Sequence, residues 1–146
     1  MLSLAHRSSR NRGFTLIELL VVIAVLGIIA AGVVTAINPL KRINQAKDTK
    51  VQNDIGQLST ALQSSFTTNQ IYPDTLQKLV ADGELKTLQK TPSGGAYGYE
   101  LSPGCTTVSC EAAVSATLLA PADPQKPIWC WRSATGTPDA VASCSP

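Results

Sequence analysis

Histidine is almost missing from this chain. The single one, His6, stands in a short N-terminal stretch that also holds Arg7, Arg10 and Arg12. Without that stretch there is no imidazole for a Ser-His or Cys-His nucleophile or for a His-ligated metal. A G-x-x-x-x-G-K-[ST] phosphate loop and a G-x-G-x-x-G turn are absent too. Neither catalysis, nor a cofactor, nor a metal is expected. Charge is also scarce: 15% of residues are charged, against about 25% in an average soluble domain. The deficit sits in one place, because 19 of the 24 residues from Phe14 to Ile37 are apolar and Glu18 is the only charged one. Beyond residue 13 the chain carries 9 basic and 10 acidic side chains. That balance argues against a nucleic-acid-seeking domain, since the basic excess belongs to a segment that looks like an address. The 146 residues suffice for one small domain.

After Glu18 come 19 residues without a charge, LLVVIAVLGIIAAGVVTAI. As a helix rising ~1.5 Å per residue they reach roughly 29 Å, close to the ~30 Å hydrocarbon thickness of a bilayer. A secretory signal has an apolar core of about 7–15 residues followed by a small-residue cleavage site. This run is longer and lacks that ending, so a membrane-spanning anchor is expected. Arginines precede it, but Lys41, Arg42, Lys47 and Lys50 follow it, so the positive-inside count does not set its orientation. The cysteines do. Cys105, Cys110, Cys130 and Cys144 form an even set, all after the span, as expected for disulfides in an oxidising compartment. The C-terminal part is therefore placed outside the cytoplasm. Glu18 needs its own explanation, because a carboxylate in an apolar helix costs on the order of 2.5–3.5 kcal/mol at the bilayer centre and less near its edge. It either snorkels to the interface or awaits a cation supplied by another chain.

The run Arg12-Gly13-Phe14-Thr15-Leu16-Ile17-Glu18-Leu19-Leu20-Val21-Val22 closely resembles the signature of type IV prepilins and of type II secretion pseudopilins. The resemblance is close over roughly residues 7 to 37 and extends to the rest in architecture only. It implies removal of a basic leader, residues 1–13, by a prepilin peptidase that cuts between Gly13 and Phe14 and N-methylates the new Phe14 amine. It further implies that Glu18 of one subunit pairs with the Phe14 amine of a neighbour in a fibre. Physics fits that pattern. Gly13 lets backbone enter a peptidase cleft unhindered, and a buried charge is costly unless compensated.

Beyond the span, Asn38-Pro39 ends the apolar run. Leu40, Ile43, Ala46, Val51, Ile55, Leu58, Leu62 and Phe66 then recur at mostly three- and four-residue intervals. That is an amphipathic helix whose opposite face carries Lys41, Gln45, Asp48, Gln52 and Gln63. One long helix from about Phe14 to Thr67 is expected: residues 14–37 as the transmembrane or fibre-core half, and residues 38–68 packed on a domain. Residues 69–146 form that domain. It holds a short helix around Leu76, Leu79 and Val80, capped by Asp74 or Thr75, and strands at 96–101, 114–119 and 128–132 in a small antiparallel sheet. Ser133 to Pro146 reads as loop. The fold class is α+β, which matches the pilin headgroup that the signature implies. Four cysteines allow three connectivities. Cys105–Cys110, closing a tight loop, and Cys130–Cys144, tying the tail to the last strand, are expected; the latter resembles the disulfide-bounded C-terminal loop of many pilins. Trp129 and Trp131 are expected in the core rather than in a surface patch. Asp123 and Asp139 fall short of a calcium site, and the Asp-Pro-Trp-Gly-like stretch of many major pseudopilins is missing.

The expected function is that of a structural subunit of a type IV pilus, serving adhesion, motility or DNA uptake. It is anchored in the cell membrane and then built into an extracellular filament. Its expected partners are identical or related pilin subunits, the prepilin peptidase and an assembly machinery with its ATPase. The alternatives are a type II secretion pseudopilin and a DNA-binding competence pilin. DNA is possible but not indicated, since the headgroup offers only Lys78, Lys86, Lys90, Lys126 and Arg132.

Overall fold

A computed structural model describes residues 13–36, 38–105 and 110–146. The leader residues 1–12, with His6 and the three arginines, lie outside the described residues, as does Ile37. The chain divides into two compact units, one up to Pro39 and one from Leu40 to Pro146.

The first unit is helix α1, Leu16–Ala36. Its apolar residues point in every direction, and Leu16, Ile23, Ile28 and Val34 are all well exposed. A helix apolar all round finds no core of its own and belongs in lipid or against other helices. Residues Leu16–Val34 are long and apolar enough to cross a membrane, and none of that stretch is buried within the chain.

The continuous helix expected from 14 to 67 is divided. A second helix, α2, runs from Pro39 to Asn69, and Asn38 is not helical. The reason is Pro39, which lacks an amide donor, clashes with a preceding turn and disfavours helical geometry in the residue before it. As the first residue of α2 it is well tolerated, because the N–H it lacks is unbonded there in any helix. At the other end Gln70 takes a left-handed φ of 60°, and its N–H bonds the Phe66 carbonyl at 2.7 Å, closing the helix.

In the second unit α2 lies on a four-stranded antiparallel sheet. Its strands are β1 Gly98–Leu101, β2 Ala112–Thr117, β3 Ile128–Arg132 and β4 Asp139–Val141, in that spatial order. Val51, Ile55, Leu58 and Leu62 follow each other at helical spacing and are buried with Val114 of β2 and Trp131 of β3. Each such side chain contributes about 1.5–3 kcal/mol when fully buried. Helix α3, Leu76–Ala81, adds Leu76 and Leu79. Thr75 stands at its N-cap without a side-chain capping bond.

Two expectations change. The tail is not all loop, because Asp139–Val141 pair with Cys130, Trp129 and Ile128 as β4. Three residues are too few to show an alternating pattern; the partner strand selects them. Strand β2 begins at Ala112 rather than at residue 114, since two buried alanines extend its ladder with β1.

Candidate functional site

The chemistry that the sequence singles out lies where the chain enters α1. Gly13 is exposed, and no atom stands within 4 Å of the position a Cβ would take. Phe14 is 88% exposed. Thr15 precedes the first turn, and its carbonyl accepts the Leu19 N–H at 3.3 Å. Its hydroxyl accepts the Glu18 N–H at 3.3 Å. Glu18 returns the favour through Oε2, which accepts both the Thr15 N–H and the Thr15 hydroxyl at 2.9 Å. This reciprocal arrangement is a capping box: the residue before the helix and the one three positions on satisfy each other's free donors. The spacing Thr15-Leu16-Ile17-Glu18 announces it in the sequence, at the edge of an apolar run whose own signal is far stronger.

The box bears on the role expected of Glu18. Both capping bonds end on Oε2, and Oε1 takes part in neither. One carboxylate therefore has an oxygen for its own helix end and an oxygen for an incoming donor. A negative group in the first turn also suits the positive end of the helix dipole.

In the second unit, two buried carboxylates hold the head together. Asp48, expected on the polar face, is 5% exposed. Its Oδ1 accepts the Leu119 N–H at 2.6 Å and its Oδ2 the Ala120 N–H at 2.8 Å. Those two bonds offset its desolvation and clamp the segment after β2 onto α2. Asp54 is buried as well; it bonds the Lys50 ammonium and accepts the Tyr97 hydroxyl at 2.5 Å. Burial, then the bond to the Asp54 carboxylate and its charge, pushes the Tyr97 phenol well above the usual tyrosine range. The Tyr99 hydroxyl bonds the Pro73 carbonyl at 2.7 Å. Burial chiefly raises its pKa as well, with Tyr72 and Asp74 adding to it.

Cys105 is bonded to Cys110, with 4.8 Å between their Cα atoms, and Cys130 to Cys144, with 5.7 Å. Both spans are ordinary for disulfides. Closing a loop of about 15 residues, as the second bond does, contributes roughly 3 kcal/mol in the chain-entropy account. Trp131 is fully buried, its Nε1 donating to the Gly136 carbonyl at 3.2 Å, and Trp129 packs partly buried against the core. Asp123 accepts the Gln125 N–H at 2.9 Å and Asp139 faces Arg132 at 3.5 Å. Among the described residues no cluster of three or more His, Cys, Asp or Glu side chains is arranged to hold a metal.

A capped helix of membrane-spanning length is thus followed in the chain by a small disulfide-stapled α+β head. The family description "Prokaryotic N-terminal methylation motif" matches residues 8–34. The type II secretion system core protein G of Pseudomonas aeruginosa is 40% identical over 111 residues, covering 65% of this chain and 76% of that protein. Its namesake in Vibrio cholerae is 37% identical over 110 residues, covering 65% and 73%. The type IV major pilin protein PilA of Myxococcus xanthus is 34% identical over 113 residues, covering 77% of this chain and 46% of the pilin. No solved structure matches the chain at a significant level. The chain belongs to the type IV pilin-like family, in which pilins and type II secretion pseudopilins stand together.

Proposed function

We propose that the chain is cut between Gly13 and Phe14, methylated on the new Phe14 amine, and polymerised through α1 into a fibre. Identical or related subunits surround it there, after a membrane-bound stage with its head outside the cytoplasm. The Oε1 of Glu18, which neither capping bond uses, receives the amine of a neighbour while Oε2 keeps its helix end capped. A prepilin peptidase and an ATPase-driven assembly machinery are the implied partners. The fibre best supported is the pseudopilus of type II secretion. One observation carries that choice: the secretion protein of Pseudomonas aeruginosa shares 40% identity and is matched over 76% of its length. A type IV pilus is the second reading, favoured by the similarity to the Myxococcus pilin and by the disulfide that bounds the C-terminal tail.

Deleting the gene separates these readings. Loss of protein secretion with intact surface pili supports the pseudopilus, and the reverse supports the pilus. A strain with both intact refutes the fibre role. Gly13→Val tests the cut: mass spectrometry is expected to find the leader retained and Phe14 unmethylated, and normal processing refutes the proposed site.

A further inference from the structure

We propose that the first two turns of α2, residues 40–47, lie on the surface of an anionic bilayer while the subunit resides in the membrane. The first buried residue of α2 is Asp48. Ahead of it Leu40 is 66% exposed and Ile43 53% exposed, so the stripe that packs the sheet from Val51 onward continues without cover. Leu40, Ile43 and Lys47 share one side of the helix by their spacing of three and four, with Lys41 and Arg42 flanking it. Among the described residues neither Arg42 nor Lys47 is in an ion pair; Arg42 donates only to the neutral Gln45 amide at 3.4 Å. Asp48, next to Lys47 in the chain, is committed to the Leu119 and Ala120 amides, and Lys50 is matched by Asp54.

The charge and the tether choose the occupant. A second copy meeting this face with its own would bring the same basic segment, which repels its like. Lipid phosphates are negative and close. Leu40 follows Val34, the end of the span, by six residues, so it lies within roughly 20 Å of the span's end along any path the chain takes. Short amphipathic turns with basic flanks bind such surfaces through apolar contact and charge together. Each basic residue near an anionic leaflet favours the bound state roughly fivefold.

This inference rests on the reading of α1 as a bilayer span, and the test separates the two. The full chain is reconstituted in phosphatidylcholine vesicles, with or without a third of the lipid replaced by phosphatidylglycerol. A thiol-reactive fluorophore is placed on Ile43→Cys or Val25→Cys after the native disulfides have formed. Shallow spin-labelled lipids are expected to quench position 43 in anionic vesicles only. Quenching should collapse at high salt, where the Debye length falls to about 3 Å. It should also collapse in an Arg42→Gln, Lys47→Gln variant, whose bound state is disfavoured by roughly twenty-five-fold. Equal quenching in neutral vesicles, or none in anionic vesicles while Val25 reports the bilayer interior, overturns the proposal. So does energy transfer between labelled copies at position 43 without lipid quenching, which assigns the face to a neighbour. A Val25 label that lipids spin-labelled deep in their acyl chains leave unquenched refutes the span and this inference with it.

Discussion

Replacing Glu18 by glutamine separates the two tasks that the geometry gives this side chain. A capping box accepts Glu or Gln at its third helical position, so Glu18→Gln keeps a carbonyl oxygen for the Thr15 N–H and hydroxyl, each 2.9 Å from Oε2. What it loses is the charge. If Glu18 compensates an ammonium in a fibre core, the substitution leaves that cation alone. Removing one partner of a buried pair costs about 3–5 kcal/mol, a hundredfold or more in an assembly equilibrium. Thr15→Ala makes the opposite cut, losing the cap at roughly 0.5–2 kcal/mol while sparing the carboxylate. The assay compares three quantities for each variant: the processed mass, the amount in the membrane fraction, and the yield of sheared filaments. Glu18→Gln should be processed and inserted normally yet yield almost no fibre, whereas Thr15→Ala should lose severalfold at most. Wild-type fibre yield from Glu18→Gln would refute the charge argument and leave Glu18 as a helix cap.

The head offers further checks. Asp48→Ala strands two amide donors, at Leu119 and Ala120, each charge-assisted bond being worth roughly 1.5–3 kcal/mol; thermal unfolding should show a loss above 10 °C, since about 1 kcal/mol shifts a domain of this size by ~4–8 °C. Tyr97 and Tyr99 are held protonated when folded. Their folded pKa values lie above the unfolded one near 10, so stability is fully present below about pH 10 and falls as pH rises beyond it. Denaturation melts along an alkaline series should show that fall, and Tyr97→Phe with Tyr99→Phe should flatten it. Gly56 sits inside α2 with no atom within 4 Å of where a Cβ would stand. Gly56→Ala should therefore stabilise the head by about 0.5–1 kcal/mol, read as a higher melting temperature; a lower one would mean that a side chain there has no room.

Much of this was legible in the sequence because it rests on local pattern. The Val51-Ile55-Leu58-Leu62 stripe and the strand around Trp129 and Trp131 follow from periodicity, and the structure places them accordingly. What escaped depends on distant partners. Asp48 looks like a surface carboxylate until the backbone of residues 119 and 120, some 70 positions on, supplies its donors. β4 exists because β3 offers it an edge. The uninterrupted 14–67 helix fails for a local reason, since periodicity continued across Asn38-Pro39 even though the proline's own chemistry forbids the ladder there.

The even coating of α1 has one more consequence. A rod with no preferred side encodes no azimuth, so it can turn freely in oil and be approached from any quarter. The screw symmetry of a polymer built from such rods must be dictated at their tips and by whatever each one carries. If the chain polymerises as proposed, subunits with differently shaped cargo can then interleave along a common shaft that shares this greasy stem.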